Sequence, residues 1–227
     1  MCLANSRKHA GRCVAGIVEG SQTGWIRPVS ARPTGEVSQG ERQLEDGSDP
    51  RVLDIISVPL LQPQPHNYQS ENWILDPNQR WRKIGRAGWG ELLTLEQHSG
   101  PLWINGYSSY HGSNDRVPTR QADTLGNSLK LIRVSRVRLQ VHVPGIAFGD
   151  STRRVVRAHF RHAGSQYILS VTDPDYEHAY LAKRDGIYEI GESFITVSLG
   201  EPHTDECTYK LVAAIMERAR IETGSEK

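Results

Sequence analysis

The sequence predicts a mainly β protein in which short strands are joined by many turns. The chain of 227 residues contains 21 glycines and 12 prolines, and its hydrophobic fraction is a modest 37%. Its apolar runs are short, and turn-forming residues separate them. Short apolar runs with frequent turns are typical of small barrels and sandwiches, whereas helix bundles need longer amphipathic segments.

The first third of the chain predicts four strands, at residues 2–5, 13–19, 25–30 and 52–60. A basic turn joins the first two strands, and a polar loop at 31–50 precedes the fourth. Closely spaced strands with turn residues between them indicate a small barrel or sandwich. We assign residues 1–85 to this N-terminal domain.

The middle of the chain predicts an irregular connector at residues 86–127. Only residues 89–96 have a helical pattern, and the helix is short. Residues 104–128 are rich in Gly, Ser, Asn and Asp, which favour loops.

The last third predicts a long strand at 128–143, a hairpin at 153–172 and a helix at 173–184. Asp173 suits the N-cap of this helix and Pro174 its first position. Two more strands follow, at 194–199 and 209–216. Three strands, a short helix and two strands is the element order of an oligonucleotide/oligosaccharide-binding (OB) barrel. Residues 128–220 are therefore the second domain, and 221–227 form a charged tail.

The hairpin at 153–172 is the best functional clue. Side chains alternate along a strand, so one face carries a set of mostly cationic residues: Arg153, Val155, Arg157, His159 and Arg161. The opposite face is apolar in its middle. A cationic sheet face is a common platform for phosphate-bearing partners. The alternative interpretation is a solvated surface whose arginines pair with some of the 26 acidic residues.

Further candidate binding residues lie outside this hairpin. The strand before it adds Arg136 and Arg138, and the N-terminal turn adds Arg7, Lys8 and Arg12. Single-stranded nucleic acid also needs aromatic stacking surfaces. Trp81, which has basic neighbours, and Tyr107 are the candidates for that role.

Six segments of the chain have a distinctive sequence: the opening 2–8, the return 11–16, the segments Trp25-Ile26-Arg27-Pro28-Val29-Ser30 and Tyr68-Gln69-Ser70-Glu71-Asn72-Trp73, and the closing stretches 198–202 and 209–214. These segments resemble a bacterial family described as a dual OB-fold domain. The resemblance covers nearly the whole chain. It implies two OB-like barrels and a nucleic-acid role, and it supplies no catalytic residues.

These observations predict a nucleic-acid-binding protein, for DNA or RNA, that uses a cationic sheet face. One alternative is a metal-dependent enzyme acting on nucleic acid or a nucleotide, with acids from the 173–177 region. Another is a protein-interaction module of a defence or stress system, with a protein partner. We find no sequence motif for a cofactor, a phosphate-binding loop or a metal site.

Composition favours a cytoplasmic protein. The formal net charge is +1, so any nucleic-acid surface depends on local segregation of charge. Cys2, Cys13 and Cys207 are odd in number and lack a disulfide-framework spacing, which fits a reducing compartment. We find no signal peptide pattern and no apolar run of the ~20 residues that span a membrane.

Overall fold

A computed structural model describes residues 1–22, 24–97, 100–144 and 153–224. These residues form 15 strands and five short helices, which confirms the mainly β class. The chain divides into two compact units. Unit 1 comprises Met1–Glu96 and Gly126–Leu129, and unit 2 comprises Gln97–Leu125 and Lys130–Lys227. The segment 86–127, predicted as a connector, therefore contributes residues to both units.

Unit 1 consists of an open sheet and a two-stranded ribbon. Its elements are β1 (Cys2–Lys8), β2 (Gly11–Ile17), β3 (Trp25–Val29), α1 (Gln39–Arg42), β4 (Asp54–Ser57), β5 (Leu60–Pro63), β6 (Asn72–Leu75), β7 (Arg82–Arg86) and α2 (Trp89–Thr94). The sheet order is β1-β2-β3-β6-β5, and β4 pairs with β7. The predicted strand at 52–60 is in fact two strands that belong to different sheets.

The core of unit 1 contains Trp81, whose side chain is 0% exposed. It packs in one cluster with Cys2, Val14, Val37, Leu44 and Leu75. A base can stack only on an exposed ring face. The prediction that Trp81 is a stacking surface is therefore wrong: its apolar ring is buried in the core although basic residues flank it in sequence.

Unit 2 is built on a larger sheet. Its elements are β8 (Arg116–Pro118), α3 (Thr119–Ala122), β9 (Leu129–Val134), β10 (Val137–His142), β11 (Val155–His162), β12 (Ser165–Val171), α4 (Pro174–Leu181), β13 (Gly186–Ile190), β14 (Ser193–Leu199), β15 (Cys207–Glu217) and α5 (Arg218–Thr223). The strand order is β13-β10-β11-β12-β15-β14-β9, and β8 also pairs with β15. Within the described ranges the sheets of both units are open and do not close into barrels.

The long strand predicted at 128–143 is broken at Ser135 and Arg136. Its two halves lie apart in the sheet, because β9 neighbours β14 whereas β10 lies between β13 and β11. Arg136 therefore lies outside β10, the strand that carries Arg138. Strand β13 and helix α5 were not predicted, and α5 occupies the start of the charged tail.

The predicted hairpin is confirmed as β11 and β12. The strands pair in antiparallel register from Arg157 opposite Ser170 to His162 opposite Ser165. The two residues between them, Ala163 and Gly164, both have positive φ, of 46° and 76°. Val156, Ala158 and Phe160 point into the core, together with Tyr176 and Tyr180 of α4. Helix α4 therefore covers the apolar face of the hairpin, and the cationic residues lie on the other face.

Candidate nucleic-acid interface

Strands β10, β11 and β12 bring a set of polar and cationic side chains onto one side of the unit 2 sheet. Arg138 lies opposite His159 and Gln140 opposite Arg157, while Arg161 lies opposite Gln166. Directly opposed residues project to the same side of a sheet. We call this set the basic face: Arg138, Gln140, His142, Arg157, His159, Arg161 and Gln166. The three strands contain no aspartate or glutamate.

The cations of the basic face differ in accessibility. Arg138 and Arg161 are exposed, and so is Arg153, which precedes β11. Arg136 lies in the bend between β9 and β10, with its Nε 3.3 Å from Oε1 of Glu189. Both partners of this pair are more than half exposed, so the pair contributes little to stability.

Arg157 is the least accessible of the predicted arginines. Its side chain is 14% exposed, and its Nη1 lies 3.8 Å from Oδ2 of Asp115, a carboxylate that is 3% exposed. Burial lowers the pKa of Arg157, although the charge of Asp115 opposes that effect. Asp115 lies far from β11 in sequence. The structure therefore supports the interpretation that Arg157 pairs with an acid. It does not present Arg157 as an open contact for phosphate.

His159 is held by a neighbour on the same face. Its Nε2 lies 2.8 Å from Oε1 of Gln140. Desolvation lowers the pKa of His159, and the charges of Arg138 and Arg157 lower it further. Near neutral pH the ring is therefore a neutral hydrogen-bonding group.

The segment that borders the basic face, from Ser109 to Asp115, lies within the predicted connector. The Asp115 carboxylate accepts hydrogen bonds from the backbone N–H and the hydroxyl of Ser109, at 2.7 and 2.5 Å. A Cβ at Gly112 would lie 1.8 Å from Oδ2 of Asp115, so any other residue there would displace this carboxylate. Ser113 exchanges two backbone hydrogen bonds with Ile168 of β12. The polar composition of this loop predicted an irregular segment but none of these contacts.

Two tyrosines of this segment are accessible to different extents. Tyr107 is 38% exposed, and its hydroxyl accepts a hydrogen bond from Nε2 of Gln121 at 2.9 Å. Tyr110 is 75% exposed, and its ring contacts His111 edge-on at a centroid distance of 4.7 Å. The His111 ring in turn lies 5.5 Å from that of His142 on the basic face. Tyr110 is therefore the more accessible aromatic at this border.

The N-terminal basic turn belongs to unit 1. Arg7 and Arg12 are directly opposed across the β1–β2 hairpin, and Lys8 lies opposite Gly11. Arg7 is exposed, and the side chains of Lys8 and Arg12 are half-buried. The structure thus divides the predicted contacts between the units: these three residues lie in unit 1 and the basic face in unit 2.

Two of the segments that carry the family resemblance meet through a buried ion pair. Strand β3 pairs in parallel with β6, and Arg27 lies opposite Asn72. The Arg27 Nη2 lies 3.1 Å from Oε1 of Glu71 and donates a hydrogen bond to the Ser128 hydroxyl at 2.8 Å. Arg27 and Glu71 are each about 4% exposed. Their role is structural.

The comparison with protein families agrees with this architecture. The model of the dual OB-containing domain matches residues 1–215. The chain belongs to the dual OB-containing domain family. The match extends over parts of both units of this OB-containing chain. Neither a curated protein nor a solved structure matches it.

One of the acids proposed for an enzymatic alternative, Asp173, has a different role in this dual OB-containing protein. Asp173 caps α4: its Oδ1 accepts hydrogen bonds from the N–H groups of Asp175 and Tyr176, and its Oδ2 accepts one from Ile215. Burial raises the pKa of Asp173 to about 6. Both carboxylate oxygens are thus occupied by backbone donors, which leaves Asp173 poorly placed to hold a metal ion.

Neither a metal-binding cluster nor a membrane-spanning helix is present among the residues that the structure describes. No group of three or more His, Cys, Asp or Glu side chains within the described ranges is arranged to hold a metal ion. No helix in the same ranges is both long enough and apolar enough to cross a membrane.

Proposed function

We propose that this dual OB-containing protein binds nucleic acid through the basic face of unit 2. Arg138, Arg153 and Arg161 contact backbone phosphates, and Tyr110 offers a ring on which a base stacks. One observation supports the proposal most: three adjacent strands direct cationic and amide side chains to one side and carry no carboxylate of their own.

The charges near this face favour an anionic ligand. Two bordering acids are paired with arginines: Asp115 faces Arg157, and Glu189, which lies opposite Arg138 in the sheet, faces Arg136. An exposed pair such as Arg136–Glu189 contributes at most about 1 kcal/mol, so a phosphate competes with Glu189 for the arginine at little cost. Family membership agrees with this role, because OB folds bind oligonucleotides on a sheet face bordered by loops.

A double charge reversal tests this function. We expect Arg138→Glu combined with Arg161→Glu to weaken binding of labelled single-stranded DNA, single-stranded RNA or duplex DNA by about tenfold or more at low salt, because two phosphate contacts become repulsions. Fluorescence anisotropy measures the affinities. Arg157 is unsuitable for reversal, since a glutamate beside the buried Asp115 would destabilise unit 2 itself.

The matched control reverses two arginines away from the basic face. Arg120 lies in α3 and Arg184 lies between α4 and β13; both are exposed, and neither belongs to the basic face. Arg120→Glu with Arg184→Glu changes the net charge by the same amount. We expect it to keep most of the affinity. Equal losses in the two double variants would mean that net charge, and not the basic face, determines binding.

A further inference from the structure

At the border of the basic face, three nitrogen-bearing side chains come together: His111, His142 and Arg157. We call them the cationic cluster. The ring centroids of His111 and His142 are 5.5 Å apart. His142 lies on β10 beside Gln140, which is directly opposed to Arg157. Desolvation and the charges of Arg157 and His111 lower the pKa of His142, whereas the charge of Asp185 raises it, so Arg157 and His111 both act on His142.

Each member of the cationic cluster has a buried nitrogen that makes no hydrogen bond to a described residue. These atoms are Nε2 of His111, Nδ1 of His142, and Nε and Nη1 of Arg157. A buried polar group without a partner costs free energy, and such groups in native proteins usually have a functional or solvent-related explanation. Asp115 satisfies Arg157 only in part, because the 3.8 Å separation of Nη1 and Oδ2 exceeds hydrogen-bond length.

We propose that the cationic cluster binds a phosphate monoester, as found at a phosphorylated nucleic-acid end or in a free nucleotide. This inference deepens the proposed function, because it specifies a ligand group for one part of the same surface. A monoester carries about −1.5 to −2 charges at neutral pH and three acceptor oxygens, which match three adjacent donor groups. An internal phosphodiester carries a single charge and continues as a chain on both sides.

The placement of the cluster also favours an end group. Arg157 is only 14% exposed, and the segment from Ser109 to Asp115 borders it on one side. A terminal phosphate needs less access to a poorly exposed arginine than a strand that continues on both sides of the phosphate. The cluster residues keep part of their side chains at the surface, so a small anion reaches them through side-chain rotation, without movement of the strands. The exposed Tyr110 ring, beside His111, is placed to contact the first base or the nucleotide's own base.

The test compares ligands that differ only in the end group. The probes are single strands of about 12 thymidines, within the site size of OB folds, with fluorescein at one end and either a phosphate or a hydroxyl at the other. Both the 5′ and the 3′ versions are measured. We expect the wild-type protein to bind one phosphorylated version about tenfold more tightly than its hydroxyl counterpart, which corresponds to one hydrogen bond to a charged group. Thymidine monophosphate and thymidine are then compared as competitors of the labelled strand. This comparison shows whether a free nucleotide is sufficient for binding.

Two substitutions assign that preference to the cluster. His142→Gln and His111→Gln each remove an imidazole and keep a polar side chain. We expect either substitution to reduce the preference for the phosphate-ended strand from about tenfold to about one. The control is His178→Gln, an exposed position on α4 at the opposite side of the sheet. Circular dichroism verifies that the variants fold. The comparison of phosphate-ended and hydroxyl-ended strands on the wild-type protein tests the proposal even if a variant does not fold.

The outcomes separate the two proposals. Equal binding of phosphate-ended and hydroxyl-ended strands, with no advantage of thymidine monophosphate over thymidine, would overturn the cluster proposal and leave the nucleic-acid function intact. Binding of the monophosphate in calorimetry without binding of any strand would support the cluster and overturn the nucleic-acid function. A phosphate preference that survives both histidine substitutions would place the site elsewhere.

Discussion

At the scale of single residues, unit 2 buries a lysine near the basic face. Lys210 is 0% exposed, and its Nζ donates hydrogen bonds to the backbone oxygen of Ile104 at 2.7 Å and to Oδ1 of Asn105 at 3.1 Å. The Nζ also lies 5.5 Å from the centroid of the Tyr167 ring. Burial lowers the pKa of Lys210 to about 7, although the charge of Asp115 opposes that effect.

This lowered pKa makes the stability of the protein depend on pH. Above about pH 7 the folded chain releases the Lys210 proton, whereas the unfolded chain keeps it until about pH 10.5. The unfolded state then binds more protons, so the free energy of unfolding rises with pH across this window, by an amount on the order of 1 kcal/mol per pH unit. Urea denaturation at about pH 7 and pH 9, in the presence of a reductant, measures the change.

The matched variant is Lys210→Met, which keeps the volume of the side chain and removes the titrating group. We expect the gain in stability between the two pH values to be smaller in this variant than in the wild-type protein. An equal gain in both proteins would assign the pH dependence to other groups and contradict a lowered pKa at Lys210.

At the scale of elements, the β11–β12 hairpin shows what local sequence specifies. Its alternation predicted both faces correctly, because the apolar residues of one parity must be buried together. The turn at Ala163–Gly164 has positive φ at both positions, which is the geometry of a type I′ hairpin turn. Alanine is a poor residue for the left-handed region, whereas asparagine tolerates it.

We therefore expect Ala163→Asn to stabilise the protein by about 0.5–1 kcal/mol, through relief of unfavourable backbone geometry at an exposed position. Gly164→Ala is the paired comparison: no atom lies within 4 Å of the added Cβ, so only its φ of 76° opposes the substitution. We expect it to be destabilising by about 1 kcal/mol. Urea unfolding measures both variants, and a loss of stability in Ala163→Asn would contradict the assigned turn geometry.

At the scale of the whole molecule, 27 basic and 26 acidic residues nearly cancel, so no global field attracts nucleic acid. Binding then depends on the few arginines of one surface. Three phosphate contacts predict a slope of log affinity against log salt of about −2.1 to −2.7, or roughly a 20- to 40-fold loss between about 50 and 200 mM salt. Anisotropy titrations at several salt concentrations measure the slope.

A steeper salt dependence of the affinity would indicate that further cationic residues of the chain contact phosphates. Values of about −5 or beyond would require more contacts than the exposed arginines of the basic face supply. Arg7, Lys8 and Arg12 of the β1–β2 hairpin are the next candidates, and Arg7→Ser with Lys8→Ser would then reduce the slope. A slope near zero would contradict phosphate binding altogether.

The sequence alone determined the strand-rich class, the β11–β12 hairpin with its cationic side, and the cap and first residue of α4. Each depends on residues that are neighbours in the chain: alternation, small turn residues, and Asp173 before Pro174. The resemblance to the dual OB family was also visible in short local segments, and the family match confirms it. Local patterns are sufficient here because strand faces and caps are fixed within a few residues.

Only the tertiary structure decided which cations face solvent. It pairs Arg157 with Asp115, buries Arg27 against Glu71 and encloses Trp81 in the core. It also separates β9 from β10 and brings His111 beside His142. The partners in each ion pair are more than 40 residues apart, and burial of a charge depends on where its distant partner lies. Which distant charges pair depends on the order of the strands in the sheet. The spacing of charges along the chain does not specify that order.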